Sequence, residues 1–286
     1  MRTFRRRQRE ERIFKVLMLL STALVTASLL VNVGTIVVKS LPALRLSMLV
    51  RTPQGGYYLG KEGGILNAIT GSLYLASGAT LFAVLFSLPV VLYINLYKRK
   101  ASALAVFTRF SLDVLWGVPS IVYGAFGFII MMTLGLRASL LAGIITVGLL
   151  EIPIMARAMD EVIRLVPLAL REASASLGAT KLETALKVVV RQALPGILTA
   201  VLIAFGRGIG DAASVLFTAG FTDNLPGSLL QPVATLPLAI FFQLGTPFPE
   251  VQQRAYASAA VLTLIILVIS LVSRALIKRV SRHSIK

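Results

Sequence analysis

Six long apolar blocks separated by short polar segments constrain this chain more than any other feature. They lie near residues 14–38, 66–96, 110–134, 139–159, 195–219 and 251–276. A run of about 18 or more apolar residues with few charges is long enough to cross a bilayer as a helix. Composition agrees: 56% of the 286 residues are apolar and 14% are charged, against about 25% charged in an ordinary soluble domain. So few charges cannot cover a water-facing surface, which excludes a soluble enzyme and a disordered chain. With no cysteine and one histidine, His283, neither a disulfide framework nor a metal site built on Cys or His is expected. The expected fold is an all-α polytopic membrane protein of six transmembrane helices. Residues 1–286 read as a single transmembrane domain, because the polar stretches 39–65, 160–194 and 220–250 are each too short to form another. The first block continues past Val38, beyond the core of about 7–15 residues found in a cleaved signal peptide, and so reads as a retained span.

The net charge of +17, from 29 Lys+Arg against 12 Asp+Glu, first suggests a nucleic-acid partner. Position decides otherwise. Twenty-two of the basic residues fall in the N-terminal arm, in 97–109, in 157–194 and in the C-terminal tail. Only Lys39, Arg45, Arg51, Lys61, Arg137 and Arg254 fall in the alternate segments, and Arg207 lies within a span. Such asymmetry is the positive-inside pattern. It sets a topology with both termini cytoplasmic, including an arm at 1–13 and a long loop at 160–194. No nucleic acid is implied.

Two glycine-rich strings resemble nucleotide motifs. Gly55-Gly56-Tyr57-Tyr58-Leu59-Gly60-Lys61 matches the start of a phosphate-cradling loop, but Glu62 stands where a Ser or Thr must hold Mg²⁺. The topology also places this string outside, away from ATP, so the chain is expected to carry no ATPase of its own. Gly206-Arg207-Gly208-Ile209-Gly210 lies inside an apolar block, where small residues three or four apart serve close helix packing.

Within the fifth block, Arg207, Asp211, Ser214 and Thr218 fall at offsets of 4, 7 and 11. On a continuous α-helix those spacings share one face. An arginine at membrane depth costs several kcal/mol unless it pairs or lines a wet cavity. An ion pair of Arg207 with Asp211 that locks two helices is one reading. The other is a polar path on which the guanidinium presents planar donors to an oxyanion. Glu151, beside Pro153 in the fourth block, and Ser120, after the helix breaker Pro119 in the third, are weaker candidates for the same path.

The loop at 160–194 is helical in pattern. Pro167 starts a helix, Gly178 stops it as a cap, and Thr180-Lys181-Leu182-Glu183 is a capping box that starts the next. A capped helix–glycine–helix elbow below the membrane is a docking element for a cytoplasmic partner.

Glu172-Ala173-Ser174-Ala175-Ser176-Leu177-Gly178, followed by Ala179, resembles the coupling loop of ABC importer permeases. Ser174 stands where that pattern has alanine, and Arg191 where it has proline. The resemblance extends over about residues 66–276. Gly117–Gly124, Arg207-Gly208-Ile209-Gly210-Asp211 with Val215–Ala219, and Thr235–Leu238 are most similar to the A-type permeases of phosphate importers. There Asp211 replaces Glu, and Ser214 follows Ala213 where Ala-Pro is usual. The resemblance implies a type I ABC importer permease in a bacterial or archaeal cell membrane. It implies a second homologous permease, two ATPase subunits carrying the Mg-ATP, and an extracytoplasmic phosphate-binding protein, with no cofactor in this chain. Glu172, Ala173, Ser174, Gly178 and Ala179 would contact the ATPase. Arg207 would bind the anion, with Asp211 holding its guanidinium while the site is empty. Sulfate or molybdate as cargo, and an ion-driven transporter, stay as alternatives; a membrane enzyme lacks any nucleophile–base pair.

Overall fold

A computed structural model of the protein describes residues 2–54, 62–99 and 102–280. The glycine-rich string 55–61 and His283 lie outside the described residues. In chain order the elements are α1 (Arg2–Ser40), α2 (Leu46–Val50), the strands β1 (Pro53–Gln54) and β2 (Glu62–Gly63), and α3 (Leu66–Leu92). Next come α4 (Ala103–Trp116), α5 (Ser120–Thr133) and α6 (Leu140–Arg164). The chain then forms α7 (Leu168–Ser176), α8 (Lys181–Glu183), α9 (Val190–Gly210), α10 (Leu236–Leu244) and α11 (Pro249–Val280). A wide π-helical turn, Thr184–Val189, joins α8 to α9.

α3 and α6 form the most extensive helix pair, and α9 packs across both. Small residues allow the close approach: a Cβ at Gly78 would stand 2.6 Å from Ile144 Cδ1, and one at Gly148 would stand 2.5 Å from Phe82 Cδ1. Between these helices and α9, Met155, Met159, Ile163, Val189, Ala193 and Ile197 fill the half of the core nearest the 165–183 elbow. α1 packs on α11, with Lys39 Nζ 3.3 Å from Tyr256 Oη. Its apolar side chains otherwise face outward along the whole span, as suits a helix immersed in hydrocarbon.

Among the described residues, five helical segments are long and apolar enough to cross a membrane, and the bent pair α4 and α5 makes a sixth if its two arms are taken as one span. The expected span at 110–134 is therefore not one rod. It turns by 100° at the break between Trp116 and Ser120. Pro119 disfavours helical backbone at Val118, and each 14-residue arm is about 21 Å long, short of the roughly 30 Å hydrocarbon core.

The fifth span also differs from its expected limits. It starts at Lys181, runs through Pro195 without a break, and ends at Gly210 rather than near 219. Beyond it, 211–235 is irregular; its inner turns are deeply buried, with Ser214, Val215, Thr218 and Ala219 at most 1% exposed, whereas 227–232 is exposed. Irregular backbone at membrane depth survives only where protein satisfies it. Here Ser139 N donates to Thr218 O at 2.9 Å, Leu140 N to Gln231 O at 2.8 Å, and Leu141 N to Leu229 O at 2.8 Å. These amides stand at the start of α6, where a helix has no internal acceptors of its own. Asn67 Nδ2 on α3 adds a bond to Thr222 O at 2.7 Å, and Leu236 N donates to Ser72 Oγ at 2.8 Å.

A Cβ at Gly71 on α3 would lie 2.0 Å from Ala234 O, whereas nothing lies within 4 Å of one at Gly34 on α1. Gly71→Ala is expected to destabilise the purified protein by about 1–3 kcal/mol. Gly34→Ala serves as the neutral control, with thermal unfolding in detergent as the measurement.

Candidate functional site

The last turn of α9 is open to the outside of the chain. Ile203, Arg207 and Gly210 share its exposed face. Nothing lies within 4 Å of where a Cβ would sit at Gly206 or Gly210. Only Gly208 serves the close packing expected of this string: its Cβ would stand 2.0 Å from Glu151 Oε1 and 3.1 Å from Val147 Cγ1. Arg207 therefore points away from the bundle and has no ion-pair partner among the described residues. A cation in the last turn of a helix gains modestly from the helix dipole, but that does not replace a solvent or a counter-ion.

Arg207, Asp211, Ser214 and Thr218 do not form a single helical face, because the helix ends at Gly210 and Asp211 is extended, with φ −83° and ψ 122°. Nor does Asp211 pair with Arg207. Its Oδ2 accepts from Ser214 N at 2.9 Å and from the Ser214 hydroxyl. A short acidic side chain capping the backbone three residues on is a local competitor that wins over a long-reach ion pair. Thr218 Oγ1 donates to Ser214 O at 3.2 Å. Both hydroxyl protons are thus spent inside a buried turn, and Ser214 and Thr218 build the ledge that carries Asp211.

Glu151 lies on the opposite side of the same α9 turn. It is completely buried on α6, and among the described residues neither carboxyl oxygen has a hydrogen-bond partner. Thr80 of α3 lies alongside it without reaching hydrogen-bond geometry. Ser120, half-buried, opens α5 one turn before Gly124 and on the same face. A Cβ at Gly124 would be 2.8 Å from Ala213 O and 2.9 Å from Ser214 O, so α5 rests against the Asp211–Ser214 turn.

The elbow is built as its sequence requires. Gly178 has φ +81°. Gly178 N donates to Ala175 O at 2.9 Å, and Ala179 N to Ser174 O at 3.2 Å, the paired bonds of a Schellman cap. Both arms of the Thr180–Glu183 capping box are present. Pro167 sits at the N-cap of α7, one place before the first turn. Glu172, Ala173 and Gly178 are exposed and Ala179 is half-buried. Ser174 is buried, with its hydroxyl 2.9 Å from that of Thr184. Leu165 is 80% exposed and Leu177 is 88% exposed, with Leu168 and Leu182 also exposed. An exposed apolar cluster of that size is what an interaction surface presents.

A network that the sequence reading missed fastens this elbow to the bundle. Asp160 on α6 is fully buried. Its carboxylate accepts a forked pair from Arg109, at 2.9 Å from Nε and 3.1 Å from Nη2, and a bond from Asn95 Nδ2 at 2.7 Å. Arg171 of α7 donates to Ile163 O at 2.8 Å and to Asn95 O at 3.3 Å, and burial pulls its guanidinium below its ordinary value. The readable signal was basic residues at offsets of −3 and +4 from Asp160: Arg157 and Arg164 each stand 3.9 Å from its Oδ2. The partners Asn95 and Arg109 are remote in sequence and gave no such sign.

Residues 97–286 match the family described as binding-protein-dependent transport system inner membrane component. The chain is 34% identical over 241 residues to the phosphate transport system permease protein PstA of Haemophilus influenzae, covering 84% of each chain. It is 36% identical over 212 residues to the protein of the same name from Yersinia pestis, covering 74% of this chain and 72% of that one. Among solved structures, the inward-facing MetNI methionine ABC transporter superposes with a TM-score of 0.61 at 18% identity, covering 76% of this chain and 95% of that one. An amino acid ABC transporter gives a TM-score of 0.53 at 21% identity, covering 76% and 94%. At those identities the two structures establish the fold alone, that of ABC importer permeases.

Asp160→Asn leaves Arg109 without its buried counter-charge and is expected to cost about 3–5 kcal/mol, seen as a lowered melting temperature. Gly208→Ala drives a methyl into Glu151, and adding Glu151→Ala should recover most of the loss. A double-mutant cycle in thermal stability measures that coupling; purely additive losses would contradict the contact.

Proposed function

The chain belongs to the family of binding-protein-dependent transport system inner membrane components, and from that membership we propose that it is the permease subunit of an ATP-driven importer of inorganic phosphate. Phosphate as cargo is supported by relatives named for phosphate transport at 34% and 36% identity over most of the chain; sulfate or molybdate lacks such support. The observation that carries the mechanism is the position of Arg207: a guanidinium on a membrane helix, exposed on a face that this chain leaves uncovered. Facing lipid it would cost several kcal/mol. Facing a second permease across a wet path, it presents five planar donors to an oxyanion.

Six spans then make half of a pathway, closed by a homologous permease. The chain itself is a transport subunit rather than an enzyme, and the Mg-ATP is held by two cytoplasmic ATPase subunits. These seat on the exposed leucines of the elbow and on Glu172, Ala173 and Gly178. Lys181–Gly210 forms one helical segment of 30 residues, about 45 Å long. It begins at the elbow's capping box and ends at the Arg207 turn, so a displacement of the elbow is delivered to the anion site by one rod. The Asp160 network makes α4, α6 and the end of α3 move with the elbow. Transport is a shift between two packings, with no covalent step. Asp211, held by Ser214, leaves the Arg207 guanidinium available to the anion. Ser120 reaches the path through the contact of α5 with the 211–214 turn. Both termini lie in the cytoplasm, on the side that carries most of the basic residues.

Arg207→Gln is expected to abolish ATP-driven phosphate uptake while the complex still assembles, and Arg207→Lys to retain a fraction of it, because an ammonium cannot make the forked contact. Unaltered uptake by the Gln variant would contradict the role. Leu177→Asp is expected to weaken copurification of the ATPase subunit and to leave the thermal stability of the permease within about 0.5 kcal/mol.

A further inference from the structure

Basic residues are scarce on the side opposite the cytoplasmic arm, yet three of the six found there converge. Arg45, Arg51 and Arg254 line one cavity of about 430 Å³, together with Ser47, Gln54 and Glu250. Membrane topology disfavours cations on that side, so their gathering is not a by-product of composition.

The cavity is a built feature. Its floor is backbone locked between α2, the two strands and α3: Gly64 N donates to Thr52 O at 3.1 Å, Ile65 N to Met48 O at 2.8 Å, and Leu66 N to Arg51 O at 3.1 Å. A Cβ at Gly64 would lie 2.2 Å from both Arg51 O and Met48 O. Gly63 has φ +99°, a conformation open to glycine. Arg254 Nη2 donates to Gly63 O at 2.7 Å, which fixes the start of α11 to the same floor. The side chains of Arg45 and Arg51 are exposed above it and form no ion pair with a described residue.

None of Ile203, Arg207 and Gly210 lines this cavity, so it is separate from the open face of α9. A rigid basic pocket at the mouth of a binding-protein-dependent permease, apart from the anion path, is complementary to carboxylates on the surface of a docking protein. Resting on the permease reading above, we propose that this pocket is the electrostatic seat for an acidic segment of the extracytoplasmic binding protein, with Arg45 and Arg51 as its contacting cations and Arg254 as a third that also braces the wall. Paired guanidinium–carboxylate contacts set orientation and speed encounter.

The test uses the whole complex of two permeases and two ATPase subunits in vesicles of neutral lipid, titrated with phosphate-loaded binding protein while ATP hydrolysis is followed. For the double variant Arg45→Gln, Arg51→Gln, half-maximal stimulation should need about ten times more binding protein at low salt. The gap should narrow as ionic strength rises, and both complexes should reach the same rate at saturation. Melting temperature and subunit stoichiometry show that the variant is folded. Equal half-maximal concentrations for parent and variant would overturn the proposal. A lower saturating rate with an unchanged half-maximal concentration would also overturn it, placing the transported anion in the pocket. A difference appearing only in vesicles with anionic lipid would overturn it in favour of a headgroup. A parent complex that no phosphate-loaded binding protein stimulates would remove the importer reading itself, a result distinct from all of these.

Discussion

A guanidinium buried in a membrane must be answered by a charge, a dipole or water, and in this chain Arg207 is answered by none of the described side chains. The nearest carboxylate in sequence, Asp211, is occupied in capping its own turn through Ser214. Glu151 lies behind Gly208 on the buried side of the helix, while Arg207 faces out with Ile203 and Gly210. Under the proposed function, the cost of such an arrangement in hydrocarbon is avoided because a second permease faces Arg207 across a wet path. The open glycines at 206 and 210, with no atom within 4 Å of their missing Cβ positions, leave room there for a substrate or for another subunit.

The same constraint explains why the helix stops where it does. Ending α9 at Gly210 leaves irregular backbone packed among apolar helices, which is tolerated because the first amides of α6 and the side chains of Asn67 and Ser72 take up several of that backbone's polar groups. Ser214 and Thr218, which look like donors along a path when set on a helical wheel, are instead the interior of this turn. At the opposite end, Asp160, Arg109, Asn95 and Arg171 join the elbow to three helices through bonds of 2.7–3.3 Å. Under the proposed function, substrate contact and partner contact are the two ends of the Lys181–Gly210 helix.

Features governed by local rules were readable in the sequence. The spans follow from apolar length. The break at Gly117–Pro119 follows from proline, and the elbow from Gly178 and the Thr180–Glu183 box, whose bonds close within a few residues. Features governed by competition between distant groups were not readable. Helical spacing placed Arg207 and Asp211 together, but a serine three residues on outcompetes an arginine one turn back. Pro195 and Gly196 both disfavour a helix interior, yet α9 continues through them, with Gly196 packed on Val162 of α6. Asp160 gained its importance from Asn95 and Arg109, which are 65 and 51 residues away.

The most direct measurement is uptake of radiolabelled phosphate into membrane vesicles holding the whole complex, with unlabelled sulfate and molybdate as competitors. Uptake that requires ATP and the binding protein, and that only unlabelled phosphate competes away, is the expected result. An assembled, ATP-hydrolysing complex that accumulates no phosphate would contradict it, and the anion facing Arg207 would have to be sought elsewhere.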